Sequence, residues 1–263
     1  MENKHLIVQE KEIFTGQGHR YKTITIKENA MLIIDSGFMY VKKIINNGIL
    51  KIINNGEIIL SENLNEIINN GHLINNSKIT CNKQLIIQNV GYIYNESINI
   101  FSLNNSMIHN YGSIINNSEL VIGGIIYNNG IFDNKGVVQI GNLNSLGCIY
   151  NNHKLINNKS IFNKNGGITN NSEIINNGEI NSKCDIDNYG KIKNNNNINN
   201  EGIINNFSTF ENNKSGIITN RNLILNEGSL IEQSTNGSFI NIGKIINHYC
   251  IYNIQYSIFD NSR

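Results

Sequence analysis

The residues best equipped for acid–base or metal chemistry are sparse in this chain. Aspartate occurs at Asp35, Asp133, Asp185, Asp187 and Asp260, and only Asp185 and Asp187 lie close together. Two residues apart on an extended chain, their side chains share one face, with Ile186 turned to the other. Paired carboxyl groups are what glycoside chemistry uses, one protonating the leaving oxygen while the other acts as base or nucleophile. Lys183 and Lys191 lie near the pair, yet a solvated strand face carries the same charges with no catalytic role. The histidines are His5, His19, His72, His109, His153 and His248. His248 and Cys250 could share a strand face, but two ligands do not make a zinc site. Gly16-Gln17-Gly18 is too short for a phosphate loop and lacks its strand–turn–helix setting. No catalytic, metal-binding or cofactor-binding residue is therefore assigned, and no cofactor is expected.

The remaining composition restricts partners. Net charge is +1, without the basic stripe of a nucleic-acid binder. No apolar run approaches the roughly 20 residues of a membrane span, and Met1-Glu2-Asn3-Lys4-His5 lacks the basic-then-apolar start of a signal peptide. Neither nucleic acid nor membrane is expected as a partner, and synthesis in the cytoplasm is. Cys81, Cys148, Cys184 and Cys250 contain no CxxC pair and read as free buried thiols. Asn-x-Ser sequons are frequent, but so are both residues, and without a leader they carry no meaning. Ice binding would need ranked threonines, and only eight are present, at no single phase.

The elements that must position these residues follow from a repeat. Asn and Ile make up about two fifths of the chain, while Pro and Trp are absent. Ile favours strands, whereas Asn disfavours both helix and regular strand and suits turns. Stepping by six from Ile108 gives Ile114, Leu120, Ile126, Phe132, Val138, Asn144, Tyr150, Ile156 and Phe162, then Ile168, Ile174, Ile180, Ile186, Ile192, Ile198, Ile204 and Phe210. Only Asn144 is polar. The position two before each is mostly Gly, Ser or Cys, and Asn-Asn often lies between. The unit is large apolar, any, Asn, Asn, small, any. Slips in phase are expected near 59–66, 99–107, 141–147, 211–217 and 231–238.

A period of six is not helical and leaves no room for a hairpin. It suits one side of a triangular coil, a short strand and then a corner. The large residue points inward, and Asn or Gly supplies the positive φ of the corner. Three sides give about 18–20 residues per coil, stacked as parallel strands, with the core made by stacking. Asparagines in register can form amide ladders. The fold class is all-β, a single-stranded parallel β-helix. Residues 1–22 are expected as an N-terminal cap, 23–250 as the repeat domain and 251–263 as a C-terminal cap. Tyr249, Tyr252, Tyr256 and Phe259 bring aromatics to this end of the chain, as cap or subunit interface.

The unit resembles the hexapeptide repeat of left-handed β-helices, which implies left-handed coiling in preference to right-handed. It departs in lacking Gly after the aliphatic residue, where Ile115, Val121, Asn181 or Lys193 stands. It is also similar to right-handed β-helices of adhesin, pectin-lyase-like and bactofilin type. The Asn/Ile/Gly-rich runs resemble repeats of giant DNA virus proteins and bacterial surface adhesins. Hexapeptide acyltransferases use a histidine between coils, which draws attention to His109 and His153. Pectin-lyase-like enzymes use acidic pairs, which draws it to Asp185 and Asp187. Two functions follow. One is a non-catalytic structural or binding rod on a virion or cell surface, contacting glycans or proteins and self-associating through its coil ends. The other is a carbohydrate-active enzyme, lyase or glycosidase.

Overall fold

The computed structural model describes residues 4–81, 83–96, 100–141 and 146–213, then strands at 217–220, 223–226, 229–233, 238–241, 244–247, 250–253 and 258–261. Side chains are described up to 226, apart from 97–105. Among the described residues there is no helix, so none long and apolar enough to cross a membrane. Every strand pairing is parallel and joins one coil to the next.

The chain opens with β1 (His5–Val8), then the long strands β2 (Lys11–Ile26), β3 (Met31–Asn46) and β4 (Ile49–Leu60). The three long strands run through corners, and β1 pairs with the Thr23–Ile26 end of β2. Residues expected as a cap thus already carry coil-to-coil pairing. Further on, apart from Ile100–Asn110 and Glu119–Asn128, which also turn a corner, each side of a coil is a separate strand of mostly three or four residues. Coil length, read from register, is 18 between Ile168 and Ile186 and 23 between Ile126 and Ile149. The longest coils contain 61–63 and 141–147, two of the expected slips.

Three faces enclose the core. The first stacks Ile24, Ile44, Ile67, Ile87, Ile108, Ile126, Ile149, Ile168, Ile186, Ile204 and Ile224, all nearly inaccessible. Leu32, Leu50, Leu73, Ile93, Ile114, Phe132, Leu155, Ile174, Ile192 and Phe210 line the second. The third runs from Met39 and Ile58 to Ile198 and Ile218. No coil could bury these alone; each is covered by its neighbours.

Two residues after the core position comes an inward Asn, and these form the expected ladders. At the end of the first face, ten asparagines from Asn46 to Asn226 are joined, each Nδ2 donating to the Oδ1 one coil on, at 2.7–2.8 Å. A second ladder joins eight, Asn75 to Asn212, at 2.7–3.0 Å. Most rungs also donate to a backbone carbonyl of the next coil, as Asn128 does to Lys154 at 2.8 Å. Burying an amide is costly unless its groups are paired, and this lattice pairs them. The third corner is apolar at Leu60, Ile122 and Ile140 and turns polar at Asn163, Ser182, Asn200 and Asn220. Outward asparagines form shorter ladders of opposite sense: Asn152 donates back to Asn129, and Asn171 back to Asn152.

Two expectations need correction. From Tyr150 to Phe162 the six-step phase is off by one, because Ile149, Leu155 and Ile161 are buried while Tyr150, Ile156 and Phe162 face outward. The long 141–147 segment shifts the register, and an extra residue at Gly166–Gly167 restores it. The corners, moreover, do not rely on positive φ. That conformation occurs at Asn29, Ser36 and Asn54 and at Gly16, Gly18, Gly37, Gly141 and Gly166, but not at the regular Asn-x-Gly corners from Gly71 to Gly190. There the small residue answers a close approach: a Cβ at Gly112 would fall on the Gly91 carbonyl oxygen of the preceding coil.

Candidate functional site

The most elaborate surface feature lies around Gly167, on the first face. Along that face two outward columns run parallel to the axis. One contains Tyr127, Tyr150, Thr169, Asp187 and Asn205, successive partners in register. The other holds the residues just before the core isoleucines: Ile125, Cys148, Gly167, Asp185 and Ile203. In the coil of Gly167 both columns are short, whereas the coils on either side carry Cys148 with Tyr150 and Asp185 with Asp187. The result is an open depression of about 490 Å³, whose lining includes Cys148, Tyr150, Thr169, Lys183, Asp185 and Asp187.

Backbone geometry makes room for it. Gly166 has φ +132 and its N–H donates to Cys184 Sγ at 3.1 Å. Ser182 Oγ donates to the Cys184 carbonyl at 2.8 Å, which secures the corner. Asp185 is exposed and Asp187 half-buried, on either side of buried Ile186, as their spacing implies. Each is held by the following coil: the Ile203 N–H donates to Asp185 Oδ1 at 2.8 Å, and Asn205 Nδ2 to Asp187 Oδ1 at 2.7 Å. Lys183 lies at the rim, but Lys191 does not. It lies on the second face, ion-paired with Glu211 at 2.6 Å.

Tyr150 stacks on Tyr127 (centroids 5.2 Å, 11°), and Tyr127 on His109 (4.9 Å, 7°). Cys148 beside it, then partial burial and Tyr127, push the Tyr150 phenol above its ordinary 10.0. It therefore stays protonated, a donor as well as an acceptor, through neutral pH.

A second depression of about 350 Å³ adjoins this one across the corner, lined by Phe162, Asn163, Lys164, Asn181, Ser182, Lys183, Asn199 and Glu201. Lys183 borders both. Sequence reasoning singled out Asp185, Asp187 and Lys183 but missed Tyr150, Phe162 and the cysteines, because the phase slip put both aromatics in the core. The seven-residue step from Ile161 to Ile168, made by the adjacent Gly166 and Gly167, was the available signal.

The other candidates stand apart. Asp133 accepts from Asn158 Nδ2 at 2.8 Å and pairs with Lys135 at 3.4 Å, and Asp35 accepts from Asn54 Nδ2. His5 and His153 are exposed, His72 stacks on Tyr92, and His19 packs edge-on against Phe14. Cys81, Cys148 and Cys184 are free, the first buried and the others half-buried. Among the described residues no three of His, Cys, Asp and Glu are grouped to hold a metal. His248, Tyr249 and Tyr256 lie outside the described residues, and for Cys250, Tyr252, Phe259 and Asp260 only the backbone is described. No family model matches the chain, and no curated protein or solved structure is significantly similar to it.

Proposed function

We propose that the chain is a non-catalytic rod that presents a fixed surface to a glycan or protein partner, as a component of a virion or cell surface. The observation that carries this is the continuous first-face ladder from Asn46 to Asn226 beside its stack of isoleucines. A ladder unbroken from Asn46 to Asn226 holds the first-face columns at constant spacing, as a scaffold needs. The coil ends, as strand-pairing edges, supply the means of self-association.

The second reading, a carbohydrate-active enzyme, draws its support from Asp185 and Asp187 at one depression. Against it, each already accepts a hydrogen bond from the next coil, which suits fixed acceptors better than a proton relay. The deciding measurement is a glycan-array screen of the full chain with reducing-sugar release followed in parallel. Binding without release is expected; release abolished by Asp185→Asn or Asp187→Asn would replace the rod with the enzyme.

A further inference from the structure

The two depressions share one origin. A single coil supplies Tyr150 to the first face and Phe162 to the third, and in the next two coils both columns fall to polar residues. These are Thr169 and Asp187 beyond Tyr150, and Asn181 and Asn199 beyond Phe162. One face of the Tyr150 ring is covered by Tyr127, with the rings almost parallel, so its other face is turned along the axis toward the depression. From Tyr150 to Asp187 is two coils, roughly 10 Å at the usual strand spacing. Within that span the coil between them offers only the Thr169 side chain and the bare backbone of Gly167, which leaves a slot about one pyranose ring thick. Both volumes fall within or near the range of small-molecule sites, about 300–1,000 Å³.

We propose that this edge of the rod binds a neutral oligosaccharide laid across the axis, one sugar ring on each side of Lys183. The proposal rests on the reading of the chain as a non-catalytic binding rod. The chemistry on each side is what a pyranose requires. An aromatic ring covers its apolar C–H face, as Tyr and Trp do at wet interfaces. Asp185, Asp187 and Glu201 accept from hydroxyl groups, while Lys183 and Lys164 donate to them. Other partners fit less well. An added peptide strand needs free backbone groups, and on these faces they are committed to neighbouring coils. A phosphate backbone would meet three carboxylates against two ammonium groups.

Gly167 allows a clean test. A Cβ there would meet only the Asp185 carbonyl oxygen, at an ordinary 3.4 Å, and its φ is not left-handed. Gly167→Gln therefore fills the slot without forcing the backbone. The full chain would be titrated with neutral oligosaccharides of the β-glucan, α-glucan, chitin and mannan series. Tyr150→Ala, Phe162→Ala and Gly167→Gln would follow, each checked for an unchanged circular dichroism spectrum. Saturable binding to at least one series is expected, weakened at least about tenfold by each variant, the scale of losing an aromatic anchor. Binding that all three variants leave intact would move the site elsewhere and leave the rod reading in place. No binding to any neutral series, or binding to acidic glycans alone, would overturn the proposal. Release of reducing ends would instead defeat the non-catalytic reading while the site stood.

Discussion

An inward asparagine in a ladder is worth more to its neighbours than to itself. Replacing Asn170 with Leu removes the donor to Asn188 Oδ1 and strands that acceptor in the interior, at about 1–3 kcal/mol. Asn46 is different. It begins its ladder, with Ile26 beneath it, and its Oδ1 has no partner. Asn46→Leu removes one orphaned acceptor and creates another at Asn69, so the ladder merely starts a coil later. Asn170→Leu is expected to lower the urea midpoint clearly more than Asn46→Leu, and equal losses would refute this account. Cys81 offers a pH test. Burial raises its thiol above the ordinary 9.0, against hydrogen bonds with Lys83 and Asn65 that lower it. The unfolded thiol then ionises before the folded one. Stability is intact below about pH 9 and falls as pH rises toward the folded value. Cys81→Ser should flatten the first part of that alkaline decline in a urea series, and an unchanged slope would assign the decline to the raised phenols of Tyr21 and Tyr150. Inward and outward asparagines were both visible in the sequence as Asn-Asn pairs, but only the structure shows that their amides point in opposite directions along the rod.

The natural element here is the coil, not the strand. Deleting 186–203 removes one coil of 18, since Ile186 and Ile204 are partners in register. Ile204 would then rest on Ile168, and the chain should keep its β-type circular dichroism and its size-exclusion position as a folded monomer. Deleting 186–194 removes an odd number of residues, which turns inward side chains outward in everything downstream. That variant is expected to aggregate or unfold, and comparable folding of both would refute the coil as the unit. The six-residue period made this architecture legible, because apolar spacing alone distinguishes a solenoid side from helix or hairpin. It failed between Tyr150 and Phe162 for a physical reason. Outward Tyr150, Ile156 and Phe162 are as apolar as the inward residues beside them, so hydrophobicity does not reveal which set is buried. The close approach at Gly112 was equally hidden, since it arises between coils rather than within one.

On the first face, thirteen strand segments succeed one another among the described residues, from His5–Val8 to Lys244–Asn247. At about 4.8 Å each they make a stack roughly 60 Å long. Among the described residues strand pairing runs only between adjacent coils, as in other repeat proteins. The candidate site was half legible. Asp185, Asp187 and Lys183 announced themselves by charge, but the platform beside them depends on two glycines and a change of register.

The same regularity has a cost in addressing. Where isoleucine lies over isoleucine and asparagine over asparagine, a coil cannot distinguish its proper neighbour from the one beyond. A chain paired one coil out of step would keep its first-face core and most of its amide ladder. What marks position is the departures: the 23-residue coils, Phe132 and Phe210 on the second face, and the switch from Ile140 to Asn163 on the third. The interruptions of the pattern are its labels, and a version idealised to a uniform repeat would gain order in each coil while losing the means to count them.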